Sequence, residues 1–242
     1  MSDSPTVLLD KSGGVATITL NRPAVINAFN VQMRDELYST LEAVRDDPDV
    51  LSILIAGEGD RGFCAGADLT EFGTAPSQTI ARQVRWERDL WGLFLSIPKP
   101  LTAALHGYVI GSGVEIACLC DIRIAADNSV FRMPETALGM VPAAGGSQTL
   151  PRTIGMSASM KMLLANESVS ARRAHEIGLV HSVVTRDSLA GTAFTTAERL
   201  ARIPPEVVMA IKRAIYEGLD GRLENGLRLE QRLVARVMQT CF

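Results

Sequence analysis

The fold is decided by residues 101–126, which read LTAALHGYVIGSGVEIACLCDIRIAA. The apolar run Leu101–Leu105 predicts a strand, the small residues of 107–113 predict a tight turn, and the apolar stretch around Glu115 predicts a buried helix. A second apolar run, Ile122–Ala126, predicts the next strand. This order is typical of a parallel sheet with helical crossovers, so the predicted fold class is α/β.

The same alternation extends through the first half of the chain. Val15–Leu20 and Leu51–Ala56 are predicted strands, and residues 78–96 are a predicted helix. Asn30 is placed to cap another helix between the two strands, which ends before Pro48. The apolar face of that helix consists of Met33, Leu37, Leu41 and Val44. The chain is therefore expected to repeat strand and helix units up to about residue 185.

After residue 185 the pattern changes to three consecutive helical segments, separated by residues 203–205 and 219–222. We therefore predict a core over residues 1–185 and a helical C-terminal region over residues 186–242. The last helix has Leu223, Leu227, Val234 and Met238 at helical spacing. That pattern is typical of packing within the core or between subunits rather than of a ligand site.

Composition limits the classes of function. The 242 residues are 47% hydrophobic, and 24 Lys and Arg against 27 Asp and Glu give a net charge of −3. This balance favours neither nucleic acid nor an anionic membrane as partner. The four cysteines lack zinc-like spacing, and the chain shows neither a secretory signal nor an apolar run of about 18 residues. A cytoplasmic location without membrane contact is expected.

Glu115 is the first catalytic candidate, because nearly all its neighbours in sequence are small or apolar. A carboxylate buried there costs several kcal/mol unless it is paired, or its pKa changes. The alternative is a structural carboxylate held by Arg123 or by backbone amides.

Two turns at the ends of predicted strands also suggest chemistry: residues 61–69, which read RGFCAGADL, and residues 107–113. Small side chains allow a ligand to approach backbone N–H groups, and a helix start adds positive potential. Together the turns could hold a developing oxyanion. The alternative is that both are ordinary tight turns between strand and helix.

Further motifs are spread over nearly the whole chain. They are Leu20–Pro23, Asn27–Phe29, Phe63–Leu69, Gly107–Glu115, Cys120–Ala125, Met133–Gly139, Pro142–Arg152 and Ala171–Val180. In this combination the chain resembles the crotonase family, the superfamily of enoyl-CoA hydratases and isomerases. The resemblance implies a spiral of strand-strand-helix turns, with a helical C-terminal region that assembles trimers, commonly paired into hexamers.

The resemblance also implies an acyl-CoA thioester as substrate, with no metal and no separate cofactor because coenzyme A is part of the substrate. The thioester oxygen would be held by the backbone N–H groups of Ala67 and Ser112. The residues implied to contact substrate or coenzyme A are Arg22, Ala28, Ala65, Gly66, Ala67, Asp68, Leu69, Gly111 and Ser112.

Hydratases of this family use two glutamates, and this chain has both, Glu115 and Glu135, at the spacing of the family motif. The resemblance therefore favours hydration. Glu115 would help deprotonate a water that attacks the β-carbon of a trans-2-enoyl thioester, and Glu135 would deliver a proton to the α-carbon. Without the resemblance, Glu135 would be interpreted as a carboxylate at a helix start.

The chain departs from the family pattern at several positions. Ser112 and Ala143 stand where glycine is usual, and Thr70 stands where some hydratases have a lysine near the coenzyme A phosphates. Arg22 and Arg61 are candidates to replace that lysine. Relatives usually continue into one more C-terminal helix, so we expect either a short variant or an unfinished gene product.

Three alternative functions are considered. An isomerase that uses one carboxylate is the closest, and a non-catalytic acyl-CoA binder would follow if the absent helix left the site open. Residues 111–116 also partly match a dinucleotide fingerprint, but Ile116 replaces its third glycine, which argues against a nicotinamide oxidoreductase.

The remaining reactive or aromatic side chains are interpreted as structural. No serine or cysteine elbow accompanies the histidines, and Cys64 is expected to form a wall of the site rather than a nucleophile. Trp86 and Trp91 are expected to pack in the core rather than to line an acyl tunnel. The histidines concerned are His106, His175 and His181.

Overall fold

A computed structural model describes residues 4–71, 77 and 88–241 of the chain. The strands are β1 (Val7–Ser12), β2 (Val15–Leu20), β3 (Ser52–Gly57), β4 (Leu101–Leu105), β5 (Tyr108–Ile110), β6 (Ile122–Ala126), β7 (Val130–Arg132), β8 (Val169–Ser170) and β9 (Ser182–Val184). The α-helices are α1 (Val31–Asp46), α2 (Leu90–Ser96), α3 (Ser112–Leu119), α4 (Gly146–Leu164), α5 (Ala171–Glu176), α6 (Leu189–Ala201), α7 (Pro205–Leu219) and α8 (Leu223–Cys241). Short 3₁₀ helices span Pro23–Val25, Leu69–Glu71 and Glu135–Leu138.

The strands form two sheets. The larger has the order β1-β2-β3-β4-β6-β9, and the smaller has the order β5-β7-β8. In the larger sheet β1 and β2 are antiparallel and every later neighbouring pair is parallel. The carboxyl ends of β2, β3, β4 and β6 therefore lie at one edge, from which the segments that form the candidate site emerge.

Most of the predicted elements are confirmed. The predicted strands Val15–Leu20, Leu101–Leu105 and Ile122–Ala126 coincide with β2, β4 and β6. The side-chain oxygen of Asn30 accepts the N–H of Met33 at 2.9 Å, which caps α1 as expected. Of the predicted helix over residues 78–96, α2 is present, and residues 78–87 lie outside the described residues.

The larger sheet is covered on both faces, which explains its apolar strands. One face packs against α1, α2 and α3, and the four predicted apolar residues of α1 are fully buried there. The other face packs against α6 through Ala193, Ala197 and Ala201, whose small side chains let the helix approach closely. The first of the three C-terminal helices is thus part of the sheet's own packing, while the boundary near residue 185 stays a prediction.

The last two helices, α7 and α8, present an apolar surface to solvent. Of the residues predicted to pack, Leu223, Leu227, Val234 and Met238 are each at least half exposed, so they are not part of the chain's own core. Packing between subunits stays a prediction. No helix in the described part of the chain is both long and apolar enough to cross a membrane.

Candidate active site

The two predicted turns lie side by side. The N–H of Cys64 donates to the carbonyl of Tyr108 at 3.1 Å, and the N–H of Ile110 donates to the carbonyl of Cys64 at 2.9 Å. At Gly62 the approach is so close that a Cβ would lie 2.5 Å from the backbone nitrogen of Tyr108. Glycine is therefore required at position 62 to bring the two segments together.

Ala67 and Ser112 follow two glycines with positive φ, Gly66 (φ 92°) and Gly111 (φ 50°). These glycines are neighbours in space, because a Cβ on Gly111 would lie 3.7 Å from the Cα of Gly66. Among the described residues no acceptor bonds to the backbone N–H of Ala67 or of Ser112. Ser112 begins α3, where a helix leaves its N–H groups unpaired. Two backbone donors are thus available where the sequence predicts them.

The predicted coenzyme A residues Arg22, Ala28 and Asp68 are joined by hydrogen bonds. The Arg22 guanidinium donates to the carbonyl of Ala28 and, at 2.9 Å, to a carboxylate oxygen of Asp68. The hydroxyl of Thr70 donates to the other oxygen of Asp68 at 2.6 Å. The Thr70 hydrogen bond, followed by Arg22, lowers the pKa of Asp68. Arg22 and Thr70 therefore fix the segment through Asp68, and their contact with a ligand stays a prediction.

Asn27 is a positioning residue whose role sequence reasoning missed. It is fully buried, and its side-chain NH₂ donates to the carbonyls of Gly62 (3.2 Å) and Phe63 (3.1 Å). Its side-chain oxygen accepts the N–H of Arg22 at 2.8 Å. Its left-handed backbone (φ 54°) is tolerated better by Asn than by most residues. The Asn27–Phe29 motif contains this residue. Its hydrogen-bond partners Gly62 and Phe63 are distant in sequence, so the motif alone could not reveal its role.

Glu115 is buried on α3, with only 3% of its surface exposed. Its Oε1 accepts backbone N–H groups from Ala144 at 3.1 Å and from Gly146 at 2.9 Å. Arg123, the other partner considered, donates instead to the carbonyls of Leu179 and Cys120. Of the two partners considered for this carboxylate, the backbone amides are the ones that contact it, and through one oxygen only.

The two donors to Glu115, Ala144 and Gly146, belong to the segment that begins α4. Ala143, which stands where the family often has glycine, is not one of them, and a contact of its N–H with water stays a prediction. A Cβ on Gly146 would lie 2.8 Å from Oε1 of Glu115 and 2.8 Å from the terminal methyl of Met133. The glycine-containing turn before α4 is thus shaped around the carboxylate. Sequence could suggest a turn there but could not show what it surrounds.

Glu135 begins the 3₁₀ helix Glu135–Leu138 and faces the start of α3. Its Oε1 is near Gly111, where a Cβ would lie 2.9 Å away. Its Oε2 is buried and has no hydrogen-bond partner among the residues that the structure describes. The two glutamates that the sequence selected are therefore brought to the same place as the two unpaired amides.

Burial raises the pKa of both carboxyl groups. For Glu115 the hydrogen bonds from Gly146 and Ala144 oppose this rise, and the negative charge of Glu135 adds to it. For Glu135 burial is the main cause. Burial thus favours the protonated form of both carboxyl groups above the usual range of carboxyl pKa values.

The other reactive side chains have structural partners. His106 lies 2.8 Å from the carbonyl of Gly59, and burial lowers its pKa. The other two histidines contact backbone groups of Arg123 and Val180. Cys64 is fully buried, which raises the pKa of its thiol to about 12, so it is not a nucleophile.

Of the two tryptophans, Trp91 is among the residues that the structure describes. The Trp91 ring lies with its centroid 6.0 Å from that of Phe29 and 6.4 Å from that of Phe94. Trp91 thus packs with aromatic neighbours at the edge of the core, as expected. Trp86 lies outside the described residues.

Known proteins resemble this chain over most of its length. The family model described as enoyl-CoA hydratase/isomerase matches residues 10–241. The chain is 36% identical to 2,3-dehydroadipyl-CoA hydratase of Escherichia coli strain K12, over 97% of this chain and 91% of that protein. It is 37% identical to (E)-benzylidenesuccinyl-CoA hydratase of Thauera aromatica, over 91% of this chain and 86% of that protein.

A solved structure shows the same fold. The crystal structure of enoyl-CoA hydratase from Bacillus anthracis matches with a TM-score of 0.91 and 31% sequence identity, covering 97% of this chain and 91% of that one. The crotonase-type α/β fold expected from the sequence is thereby confirmed, including its helical C-terminal region. Family model, sequence identity and fold agree over nearly the whole chain, so the protein belongs to the enoyl-CoA hydratase/isomerase family.

Proposed function

We propose that this protein is an enoyl-CoA hydratase, which adds water across the 2,3 double bond of a 2-enoyl-CoA thioester. One observation carries the proposal: the buried Glu115 and the half-buried Glu135 lie beside a helix start that leaves backbone donors unpaired. A hydratase needs both a base and an acid, whereas moving a double bond within the substrate can be done with one carboxylate.

The unpaired N–H groups of Ala67 and Ser112 would bind the thioester oxygen. Attack at the β-carbon pushes electrons onto that oxygen and produces an enolate, so the donors bind the transition state more strongly than the substrate. The position of Ser112 at the start of α3 adds the positive end of the helix dipole. In other enzymes, loss of one such donor costs about 10²–10³ in rate.

The protons move between water, substrate and the two carboxyl groups. Ionised Glu115 takes a proton from the attacking water as its oxygen bonds to the β-carbon. Neutral Glu135 gives its proton to the α-carbon as the enolate collapses, which leaves a 3-hydroxyacyl thioester. The net exchange is one proton onto Glu115 and one off Glu135, so the resting state returns when a proton passes back through solvent.

The surroundings of the two groups support this assignment. Glu115 receives two N–H hydrogen bonds, which stabilise its ionised form. Glu135 has a buried oxygen with no partner in the described structure, which disfavours its ionised form. These contacts favour Glu115 as the ionised group and Glu135 as the neutral one, although a negative charge on Glu135 would raise the pKa of Glu115.

The proposal covers the class of substrate rather than a single acyl group. The relatives named above are hydratases of 2,3-dehydroadipyl-CoA and (E)-benzylidenesuccinyl-CoA, and a further relative, from Clostridium acetobutylicum, is a short-chain-enoyl-CoA hydratase at 32% identity. Similar levels of identity thus accompany different acyl groups. Ser112, whose side chain stands where the family usually has glycine, is the residue we expect to influence that choice.

We also propose that the apolar surface of α7 and α8 packs against other copies of the chain in a trimer or a hexamer. The surface consists of Ile211, Ile215, Leu219, Leu223 and Leu227, each at least half exposed. Contiguous exposed apolar side chains of this kind are typical of a protein–protein interface. Analytical ultracentrifugation tests this, since sedimentation as a monomer at micromolar concentration would contradict it.

The function is tested by following the conjugated-enoyl absorbance of crotonyl-CoA, a branched enoyl-CoA and a dicarboxylic enoyl-CoA with the wild type, Glu115→Gln and Glu135→Gln. We expect the wild type to consume at least one of them and both variants to lose about 10²–10⁴ in kcat. Rapid conversion of a 3-enoyl thioester that needs only one of the glutamates would identify an isomerase. Tight binding of acyl-CoA without turnover would identify a binding protein.

A further inference from the structure

The turn that carries Glu135 is held from outside by a side chain at the far end of α4. Asn166 lies just beyond this helix, and its amide is 2.7 Å from the hydroxyl oxygen of Thr136. With its NH₂ turned toward the carbonyl of Met133 (3.3 Å), its oxygen also accepts the N–H of Ala137 (3.3 Å). One amide therefore contacts the backbone on both sides of Glu135.

Thr136 links the same turn to α4. Its hydroxyl lies 2.6 Å from the carbonyl of Leu163 in the last turn of the helix and 2.7 Å from the oxygen of Asn166, so its one proton is donated to one or the other of these two acceptors. The 3₁₀ helix itself is short, because the N–H of Gly139 closes it on the carbonyls of Glu135 and Thr136. A single 3₁₀ turn has poor internal hydrogen bonding, so its orientation depends on such outside contacts.

We propose that Asn166, acting with Thr136, is a positioning residue that fixes the turn bearing Glu135 and so aims its carboxyl group at the α-carbon of the substrate. This inference rests on the proposed function, because it concerns the orientation of Glu135, the group that acts as the acid in that reaction. Neither residue belongs to the set that the sequence selected, and neither contacts the unpaired amides.

Helix termination alone does not explain Asn166. Its backbone is left-handed (φ 54°), the conformation in which helices most often end with glycine. Glycine adopts that conformation without the steric cost that Asn bears. An amide at position 166 is therefore dispensable for ending α4, and what it adds is the contact with residues 133–137.

The contact also reaches the other carboxyl group. Met133 is fully buried, and its terminal methyl lies against Gly146, whose N–H donates to Glu115. Holding the carbonyl of Met133 thus fixes the chain between Glu115 and Glu135. Since a displacement of about 1 Å can cost about 10²-fold in rate, a contact remote from the chemistry has a measurable effect.

The experiment compares the wild type with Asn166→Gly, Thr136→Val and the control Thr196→Val. Thr196 is a matched threonine on α6, whose hydroxyl donates to the carbonyl of Thr192 at 2.8 Å. The readouts are kcat and KM with the best enoyl-CoA substrate, the pH dependence of kcat/KM, and hydrogen–deuterium exchange of the peptide over residues 133–140.

We expect Asn166→Gly and Thr136→Val to lower kcat about 10- to 100-fold with KM changed less than about twofold. The fall of kcat/KM at high pH should move to lower pH, because a carboxyl group released toward water returns to its ordinary pKa. Exchange of residues 133–140 should become faster, and Thr196→Val should match the wild type in all three readouts.

The outcomes separate this inference from the proposed function. If the wild type hydrates enoyl-CoA and Asn166→Gly keeps kcat within twofold with an unchanged pH profile, the positioning role is wrong while the hydratase assignment stands. If the wild type turns over no enoyl-CoA, the proposed function fails, and hydrogen exchange alone then decides whether Asn166 holds the turn. Unchanged exchange in the glycine variant would overturn the contact itself.

Discussion

The surroundings of Glu115 and Glu135 differ although both groups are carboxyls in one site. Glu115 sits on a regular helix, and its carboxylate accepts two backbone N–H groups from the turn before α4. Glu135 sits on a single 3₁₀ turn, with one oxygen buried and unpartnered in the described structure. The N–H donors stabilise the ionised form of Glu115, whereas the buried oxygen of Glu135 has no such donor.

In the proposed mechanism, this difference lets one site provide a base and an acid at the same pH. Burial raises the pKa of both groups and by itself gives no reason why one of them should hold a proton rather than the other. The hydrogen bonds to Glu115 supply the preference. The two groups are also positioned differently: backbone amides donate to the carboxylate of Glu115, whereas the Asn166 side chain contacts the turn that bears Glu135.

The largest effect is expected from removing either charge-bearing group. Glu115→Gln and Glu135→Gln should each lower kcat by about 10²–10⁴, because each removes one half of a proton exchange. The double variant should be little slower than the slower single variant, because groups that act as a unit are not additive. Stopped-flow measurement of enoyl absorbance checks this, and multiplied losses in the double variant would contradict a shared exchange.

A smaller effect is expected from crowding the support of Glu115. In Gly146→Ala the new Cβ would meet Oε1 of Glu115 and the methyl of Met133, each at 2.8 Å, so the carboxylate must move. We expect kcat to fall about 10- to 100-fold. Gly191→Ala on α6 is the matched control, since nothing lies within 4 Å of its Cβ position.

For the Gly146 pair the measurement is kcat together with thermal stability. The control should keep full activity and gain slightly in stability, because alanine is favoured over glycine inside a helix. Equal kcat in Gly146→Ala and wild type would mean that the hydrogen bonds to Glu115 do not set its position.

The smallest effect is expected on stability. Because burial raises the folded-state pKa of Glu135, the folded protein binds its proton more tightly than the unfolded chain does. The contribution of this group to the free energy of unfolding is therefore most favourable at low pH and is lost as the pH rises through the raised pKa. Glu135→Gln should remove this loss and be more stable than the wild type at neutral pH.

Urea unfolding at several pH values measures this difference. The advantage of Glu135→Gln over the wild type should grow as the pH increases from about 4 toward neutrality. A variant that is less stable than the wild type at neutral pH would show that the Glu135 carboxylate is satisfied in the folded protein.

The sequence alone predicts several of the regular strands and helices and one of the two carboxyl groups. The strands β2, β4 and β6 follow from uninterrupted apolar runs, and α1 follows from its capping residue and periodic apolar face. Glu115 was selected because a charge among apolar neighbours is physically costly. These are local signals, which depend on residues close together in the chain.

What the sequence could not supply depends on contacts between distant residues. The donors to Glu115 come from residues 144 and 146, and the amide that contacts the Glu135 turn comes from residue 166. The small sheet of β5, β7 and β8 was also missed, because its strands have only two or three residues each. Such short segments lack enough residues for a period to be recognised.

The central claim is that Glu115 works ionised and Glu135 works protonated, and the pH dependence of kcat/KM tests it most directly. The wild type should give a bell-shaped profile with a preferred enoyl-CoA. Glu135→Gln should lose the fall at high pH and keep the fall at low pH, while Glu115→Gln should do the reverse. If Glu135→Gln keeps the wild-type fall at high pH, Glu135 is not the acid and the division of roles is wrong.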